Sequence, residues 1–370
     1  RKREVEVGFD TKWCKSNPLD VNFSYYTYTT YDQIMGLQLA QSTSVNSIKI
    51  NAGKVKSWGY EFFAKYSPIS NKTNRLDVSM TLANQYSKVL SLYPGITSYV
   101  YQGGGAYRIV AEEGKKIGDV QAYDYKRDPK SGEKVVKSDG TYAYDNSKLV
   151  TVGNVNPYLI GGFFADYFYK NFNVHIGINY KLGGTYLSYT NYYLLGQGET
   201  KETLKYRDEA HGGLPYYINT QGKLVKLPSH NTSAPADSKD GRVYHNGLVL
   251  DGMKDDASGN YVPNDILITD QAYYSTFIHD VSEFFQPDHL YKNDYIKFRE
   301  LSVAYTLPKS ISESMKMQKV TLSVFARNLF YIYKTIPNID PESSLGSDSF
   351  VEYSALPQTR TIGVKLDLSL

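Results

Sequence analysis

The chain has 370 residues with 41 basic and 38 acidic side chains, a net charge of +3 that is too balanced to argue for nucleic acid as a partner. Its single cysteine, Cys14, excludes an intramolecular disulfide framework and a cysteine-rich metal site. Mean hydropathy is −0.44 and no run approaches the roughly 18 apolar residues of a spanning helix, so a transmembrane α-helix is excluded; strands of about ten alternating residues leave no such run, and a β-barrel stays open. Aromatic content is the anomaly, 36 Tyr and 15 Phe against 2 Trp, and tyrosine suits strands and membrane interfaces, where its ring is half apolar and its hydroxyl stays wet.

Taken in chain order, nine segments alternate with period two. Val5, Val7, Phe9 and Trp13 oppose Glu6, Asp10 and Lys12, and Val21, Phe23 and Tyr25 oppose Asn22 and Ser24. Tyr60, Phe62, Ala64 and Tyr66 alternate with Glu61 and Lys65; Leu76, Val78, Met80 and Leu82 alternate with Asp77, Ser79 and Thr81. Phe163, Ala165, Tyr167 and Tyr169 oppose Phe164 and Asp166, and the run Phe172 to Leu182 sets Val174, Ile176, Ile178 and Tyr180 against Asn173, His175, Asn179 and Lys181. Leu301, Val303, Tyr305 and Leu307 oppose Glu300, Ser302 and Thr306; Val320, Leu322, Val324 and Ala326 oppose Thr321, Ser323 and Arg327. The ninth segment sets Ile362, Val364, Leu366, Leu368 and Leu370 against Thr361, Gly363, Lys365, Asp367 and Ser369.

The links alternate too. Short ones (Cys14 to Pro18, Ser67 to Asn74, Tyr169 to Asn171, Lys309 to Lys319) take turns with long ones (Thr30 to Lys54, Ser91 to Tyr158, Gly183 to Leu290, Tyr331 to Leu356). Long loops collected at one end are the habit of outer-membrane barrels, with short periplasmic turns and long extracellular loops. With a periplasmic C-terminus, nine strands place Arg1 on the extracellular side. An odd sheet would leave open edges in hydrocarbon, which is costly, so the expectation is an all-β, membrane-spanning antiparallel barrel of which residues 1–370 are the C-terminal part. The chain begins RKREVEV, with no signal peptide or plug region in the sequence, as expected of a fragment or a processed chain.

Several blocks in order resemble SusC/RagA-like TonB-dependent outer-membrane transporters of Bacteroidetes: NAGKVKSWGYEF (Asn51 to Phe62), EEGKKIGDVQAYDYKRD (Glu112 to Asp128), VGNVNPYLIGGF (Val152 to Phe163), LKYRDEAHGG (Leu204 to Gly213), NDYIKFRELSVAYTLP (Asn293 to Pro308), ARNLFYIYK (Ala326 to Lys334), IDPE (Ile339 to Glu342) and PQTRTIGVKLDL. Two features depart from the family pattern: Ser57 and Trp58 stand where it usually has Asn and a basic residue, and Leu370 stands where many barrels end in an aromatic. The resemblance implies a barrel of about 22 strands, of which these are about the last nine. It implies TonB-driven import of large nutrients, oligosaccharides or else peptides. The implied partners are a SusD-like surface lipoprotein, TonB-ExbB-ExbD acting through a plug, a dimer of SusC-SusD pairs, and outer-membrane lipid with lipopolysaccharide. A non-transporting structural or assembly subunit on the same barrel is the alternative.

Enzyme motifs are not found: there is no G-x-S-x-G, H-E-x-x-H, Walker loop or paired Cys. The six His residues are scattered, with His175 on a polar strand face, and Gly103 to Gly105 does not lead into a phosphate loop. No cofactor is expected. The acidic stretch Asp251 to Asp265 lacks EF-hand spacing and reads as a solvated turn-rich loop, with calcium as its alternative. Candidate ligand contacts are loop aromatics able to stack on sugar rings: Tyr99, Tyr101, Tyr107, Tyr123, Tyr192, Tyr193, Tyr216 and Tyr273, each also explicable as loop packing. Asp166, Lys181 and Arg327 are expected to face the lumen or plug. A short helix, offered as a contact for the lipoprotein, is expected between Thr190 and Asp208.

Overall fold

The computed structural model describes every residue except 15–16, 39–46, 52, 104–106, 257, 279–286 and 344–349. Two glycines of the Gly103 to Gly105 run, and His279, lie outside the described residues.

All nine alternating segments are strands of one antiparallel sheet: β1 (Lys2–Trp13), β2 (Leu19–Thr30), β3 (Lys54–Ser70), β4 (Asn74–Ser91), β5 (Pro157–Tyr169), β6 (Phe172–Gly183), β7 (Tyr295–Thr306), β8 (Lys319–Lys334) and β9 (Thr361–Ser369). Each pairs with its sequence neighbours, so the sheet is a simple meander with β1 and β9 at its edges. Lengths of 9 to 18 residues meet the roughly 9–11 that a tilted strand needs to cross hydrocarbon. No helix among the described residues is long and apolar enough to cross a membrane.

Register decides what the alternation means. Phe9 faces Phe23, Phe23 faces Phe62 and Phe62 faces Leu82 across four strands. Lower down, Leu76, Tyr167, Val174, Val303, Val324 and Val364 form one cross-strand row over six. Every apolar set read from the sequence therefore lies on the same face. That face is bare: Val7 is 66% exposed, Val324 50% and Ile362 72%. A contiguous apolar surface of this extent requires a nonaqueous partner, and strands with one apolar and one polar face supply the lipid side of a barrel wall. Tyr167, Tyr169, Phe172 and Tyr305 cluster toward the short-turn end, with the Phe172 and Tyr305 rings 4.6 Å apart, as an interfacial girdle would.

The turns at one end are tight. Asn71 Oδ1 accepts from the N–H groups of Thr73 and Asn74, Lys170 takes a positive φ of 50°, and a short helix, Lys309–Ser314, fills the last link. β3 runs to Ser70 through a bulge after Tyr66, and β8 runs to Lys334, so both strands extend further into their links than the alternation suggests. The long links are folded, and they carry the buried core. Tyr107, Ile109, Val120, Ala122, Leu187, Phe350 and Val351, drawn from three links, form one cluster. A four-stranded sheet of Ser98–Gly103, Tyr107–Glu112, Asp119–Tyr125 and Tyr144–Asn154 supports it. The segments near Asp128 and Lys137 are hairpin turns, closed by bridges between Arg127 and Lys134 and between Val136 and Tyr142.

In the full-length protein in a bilayer, Val324→Arg is expected to cost about 2–4 kcal/mol of unfolding free energy. Ser323→Arg, one residue away on the opposite face, is expected to cost under about 1 kcal/mol. Equal costs in denaturant unfolding would contradict the assignment of faces.

Candidate functional site

The face opposite the apolar belt carries most of the wall's charge, and its charges are largely paired. Asp77 is buried and held by Ser67 Oγ at 2.9 Å, Lys65 at 3.4 Å and Arg75 at 3.4 Å. Asp166 accepts from His175 Nδ1 at 2.8 Å, and Arg327 reaches Glu300 at 3.3 Å. Lys181 makes no ion pair among the described residues; it lines an inner groove of about 540 Å³ with Asn22, Glu61, Asn179, Arg299 and Glu342. Asp166, Lys181 and Arg327 thus all sit on the polar face, as the alternation predicts.

The groups that sequence reasoning passed over lie at the upper end of this face. Lys297 on β7 is 2% exposed, and its Nζ lies 2.6 Å from Glu342 Oε2, which the link after β8 brings back against the wall. Arg299 clamps the same carboxylate, with Nη1 3.0 Å from Oε2 and Nη2 on Oε1, while Tyr295 donates its hydroxyl to Oε1 at 3.0 Å. Asp340 accepts from the Tyr331 hydroxyl and from the Gln358 N–H, the latter at 2.9 Å. Burial alone pushes the Glu342 carboxyl up, but the hydrogen bonds and charges of Arg299 and Lys297 outweigh it and hold the carboxyl down at about 2. The available signal was K-x-R on one strand together with the IDPE block. Each was visible as a family resemblance, and neither pointed to the other.

The same link is fastened on its other side. The expected helix is Tyr189–Gln197, capped by Ser188, whose Oγ accepts from the Asn191 N–H and donates to Glu352 Oε2 at 2.8 Å. Asn191 donates to the Pro337 carbonyl, and Leu187 and Ser188 pair with Val351 and Glu352. Residues 335–343 and 350–355 therefore tie the loop layer to the inner wall.

Of the eight candidate tyrosines, Tyr107, Tyr192 and Tyr216 are buried by packing, Tyr107 on Phe350, Tyr192 on His289 and Tyr216 on Tyr244. Tyr99, Tyr123 and Tyr273 are half-buried, and Tyr101 and Tyr193 are exposed. The eight are spread over several loops. In the acidic loop, Asp256 accepts from the Ser258 and Asn260 N–H groups, and Lys254 pairs with Asp265. The described residues contain no cluster of three His, Cys, Asp or Glu arranged to hold a metal.

At the second glycine of the Asn51 to Phe62 block, a Cβ on Gly59 would meet the Asn84 carbonyl at 2.2 Å and the Tyr26 hydroxyl and ring at 2.6 and 2.7 Å. That glycine lets the Tyr26 ring lie flat on the inner wall, a packing reason for its place in the block.

A two-faced antiparallel meander with its core displaced into loops at one end defines the class: a length of the wall of a transmembrane β-barrel. No family model matches the chain. It is 22% identical over 396 aligned positions to TonB-dependent receptor P3 of Formosa agariphila, covering 99% of this chain and 34% of that protein. Among solved structures it superposes on the RagAB peptide transporter with a TM-score of 0.61 at 14% identity, covering 99% of this chain and 35% of that one. The RagAB peptide importer in its closed-closed state gives 0.61 at 16% identity, with the same coverage. The chain thus spans about a third of the length of these relatives. Its fold is that of a part of a TonB-dependent transporter barrel, and the likeness to the RagAB structures runs along 99% of its length.

Lys297→Met leaves the Glu342 carboxylate half-paired, and this is expected to lower the local opening free energy of residues 335–343 by about 3–5 kcal/mol, read by hydrogen exchange. Glu342 is held below its ordinary 4.5, so its contribution is complete above that pH and is lost as pH falls from there through about 2. Exchange protection of 339–343, corrected for intrinsic rates, should be flat from pH 8 to about 5 and fall below it. A fall centred near neutral pH would assign the latch to another group.

Proposed function

We propose that this chain forms the C-terminal part of the wall of an outer-membrane nutrient importer in a Gram-negative bacterium of the Bacteroidetes, energised by TonB-ExbB-ExbD through a plug domain and lidded by a SusD-like lipoprotein, the pairs forming dimers. The observation that carries the reading is the superposition of 99% of the chain on RagAB at a TM-score of 0.61, with the outward apolar and inward polar faces that a barrel wall needs. The cargo is a large polar oligomer, an oligosaccharide or a peptide. Tyr101 and Tyr193 keep exposed rings in the loop layer and are the tyrosines best placed to stack on it. Asp166 and Arg327, already paired along the wall, and Lys181, with no ion pair among the described residues, form a polar inner lining that suits the plug.

The test is uptake of fluorescent oligosaccharide and peptide pools by cells with the gene deleted, with the full-length protein restored, and with TonB removed. Deletion and TonB loss are each expected to cut uptake of one pool at least about tenfold, and Tyr101→Ala with Tyr193→Ala to raise the half-saturating concentration several-fold. If deletion changes neither pool and no lipoprotein co-purifies, the structural-subunit reading replaces this one.

A further inference from the structure

The outward face carries a feature that neither transport nor lumen packing uses. At the long-loop end of the first four strands, register lines up basic residues at one level: Arg3 faces Thr29, Thr29 faces Lys56, Lys56 faces Lys88, and Lys88 bridges to Lys116. All four cations are exposed. On three of the strands each cation comes one pleat beyond the last apolar or aromatic residue of the belt: Val5 then Arg3, Trp58 then Lys56, Tyr86 then Lys88. One pleat is roughly 7 Å along a strand, which sets the charges at headgroup depth just above the hydrocarbon.

The side chains cannot turn inward, because Val55 and Val89, their neighbours on the other face, are buried under the loop layer. Two contacts fix the outward direction at the ends of the row: Lys116 Nζ lies 4.9 Å from the centre of the outward Tyr86 ring, and the Arg3 guanidinium lies 5.7 Å from that of Tyr31.

The row also lacks counter-charge. Lys56 and Lys88 stand directly opposite each other, an arrangement that destabilises a ladder unless an anion lies between. Nearby carboxylates are committed elsewhere: Glu4 to Lys2, Glu112 to Lys115, and Glu113 to the Leu92 N–H. None of the four cations makes an ion pair among the described residues. On β5 to β8 the uppermost outward positions are Leu159, Leu182, Ile296 and Tyr333, so the charge is a local patch and not a ring around the wall.

We propose that Arg3, Lys56, Lys88 and Lys116 form a binding site for the phosphorylated headgroup of an outer-leaflet glycolipid, whose acyl chains lie down the belt below. Ammonium and guanidinium groups are the side chains suited to phosphate, and only a lipid presents phosphate directly above an apolar wall. The site rests on the outer-membrane reading and not on transport: uptake can fail while lipid retention holds.

The test uses the full-length protein in bilayers of phosphatidylcholine with and without lipid A, measuring retained lipid A by native mass spectrometry and the unfolding temperature. Wild type is expected to retain lipid A and to unfold at a higher temperature with it. Lys56→Gln/Lys88→Gln/Lys116→Gln should bind at least about tenfold more weakly and lose the temperature difference, whereas the triple Lys→Arg variant should keep both. If the triple Gln variant does not fold, Lys88→Gln alone should still weaken retention several-fold. Equal retention by wild type and the Gln variants overturns the site, and so does wild-type indifference to lipid A. Inorganic phosphate that stabilises the detergent-solubilised protein as well as lipid A does would make it a free-anion site and overturn the lipid assignment.

Discussion

Hydrocarbon offers backbone N–H and C=O groups no partner, so a chain crossing it as strands must satisfy every such group across the ladder and must present apolar side chains on one face only. Everything else in this structure follows from that demand. Four of the eight neighbour pairs in the β1 to β9 meander are joined by tight turns and close with little loop entropy, and the other four are joined by the long links that fold into the loop layer. Their register has no freedom, since a slip of one residue would turn Val174, Val303 and Val324 into the polar interior and Asp166 and Glu300 into lipid.

Giving the apolar face to lipid leaves the wall without a core of its own, and the protein compensates in two places. The loop layer builds its own clusters around Tyr107, Val120 and Leu248, from segments far apart in sequence. The inner face uses charge: Asp77, Asp166, Glu300 and Glu342 each meet a cation, a hydroxyl or, for Asp166, the His175 ring nitrogen, because a polar side chain on the inner wall must find a partner or water. Glu342 joins the two solutions. It belongs to a loop, it is gripped by Lys297 and Arg299 of the wall, and its segment reaches the capped helix Tyr189–Gln197 through Pro337. Loop position and wall geometry are coupled through that carboxylate.

The wall was almost wholly legible in the sequence. A period of two with one apolar face is a local property, and the nine segments read from it are the nine strands, misjudged only at ends such as Ser70 and Lys334, where a bulge or polar tail hides the pattern. A short helix was expected between Thr190 and Asp208 without bounds, and the structure places it at Tyr189–Gln197, with its Ser188 cap and its Gly198 stop at a φ of 75°. The candidate tyrosines fared differently. Composition marks them as suitable for stacking, but whether a ring is covered depends on partners a hundred or more residues away, as with Tyr107 under Phe350 and Tyr192 against His289.

By itself the sequence determined the nine wall strands, their two faces and the end at which the long loops gather, because these depend on local alternation and on the lengths of the links. Tertiary structure alone decided which charges meet. Lys297 with Glu342, Ser188 with Glu352 and the level row of Arg3, Lys56, Lys88 and Lys116 depend on the return path of a loop or on register between strands. No local pattern encodes those distances: they are fixed only when the whole ladder is assembled and every backbone group has found its partner.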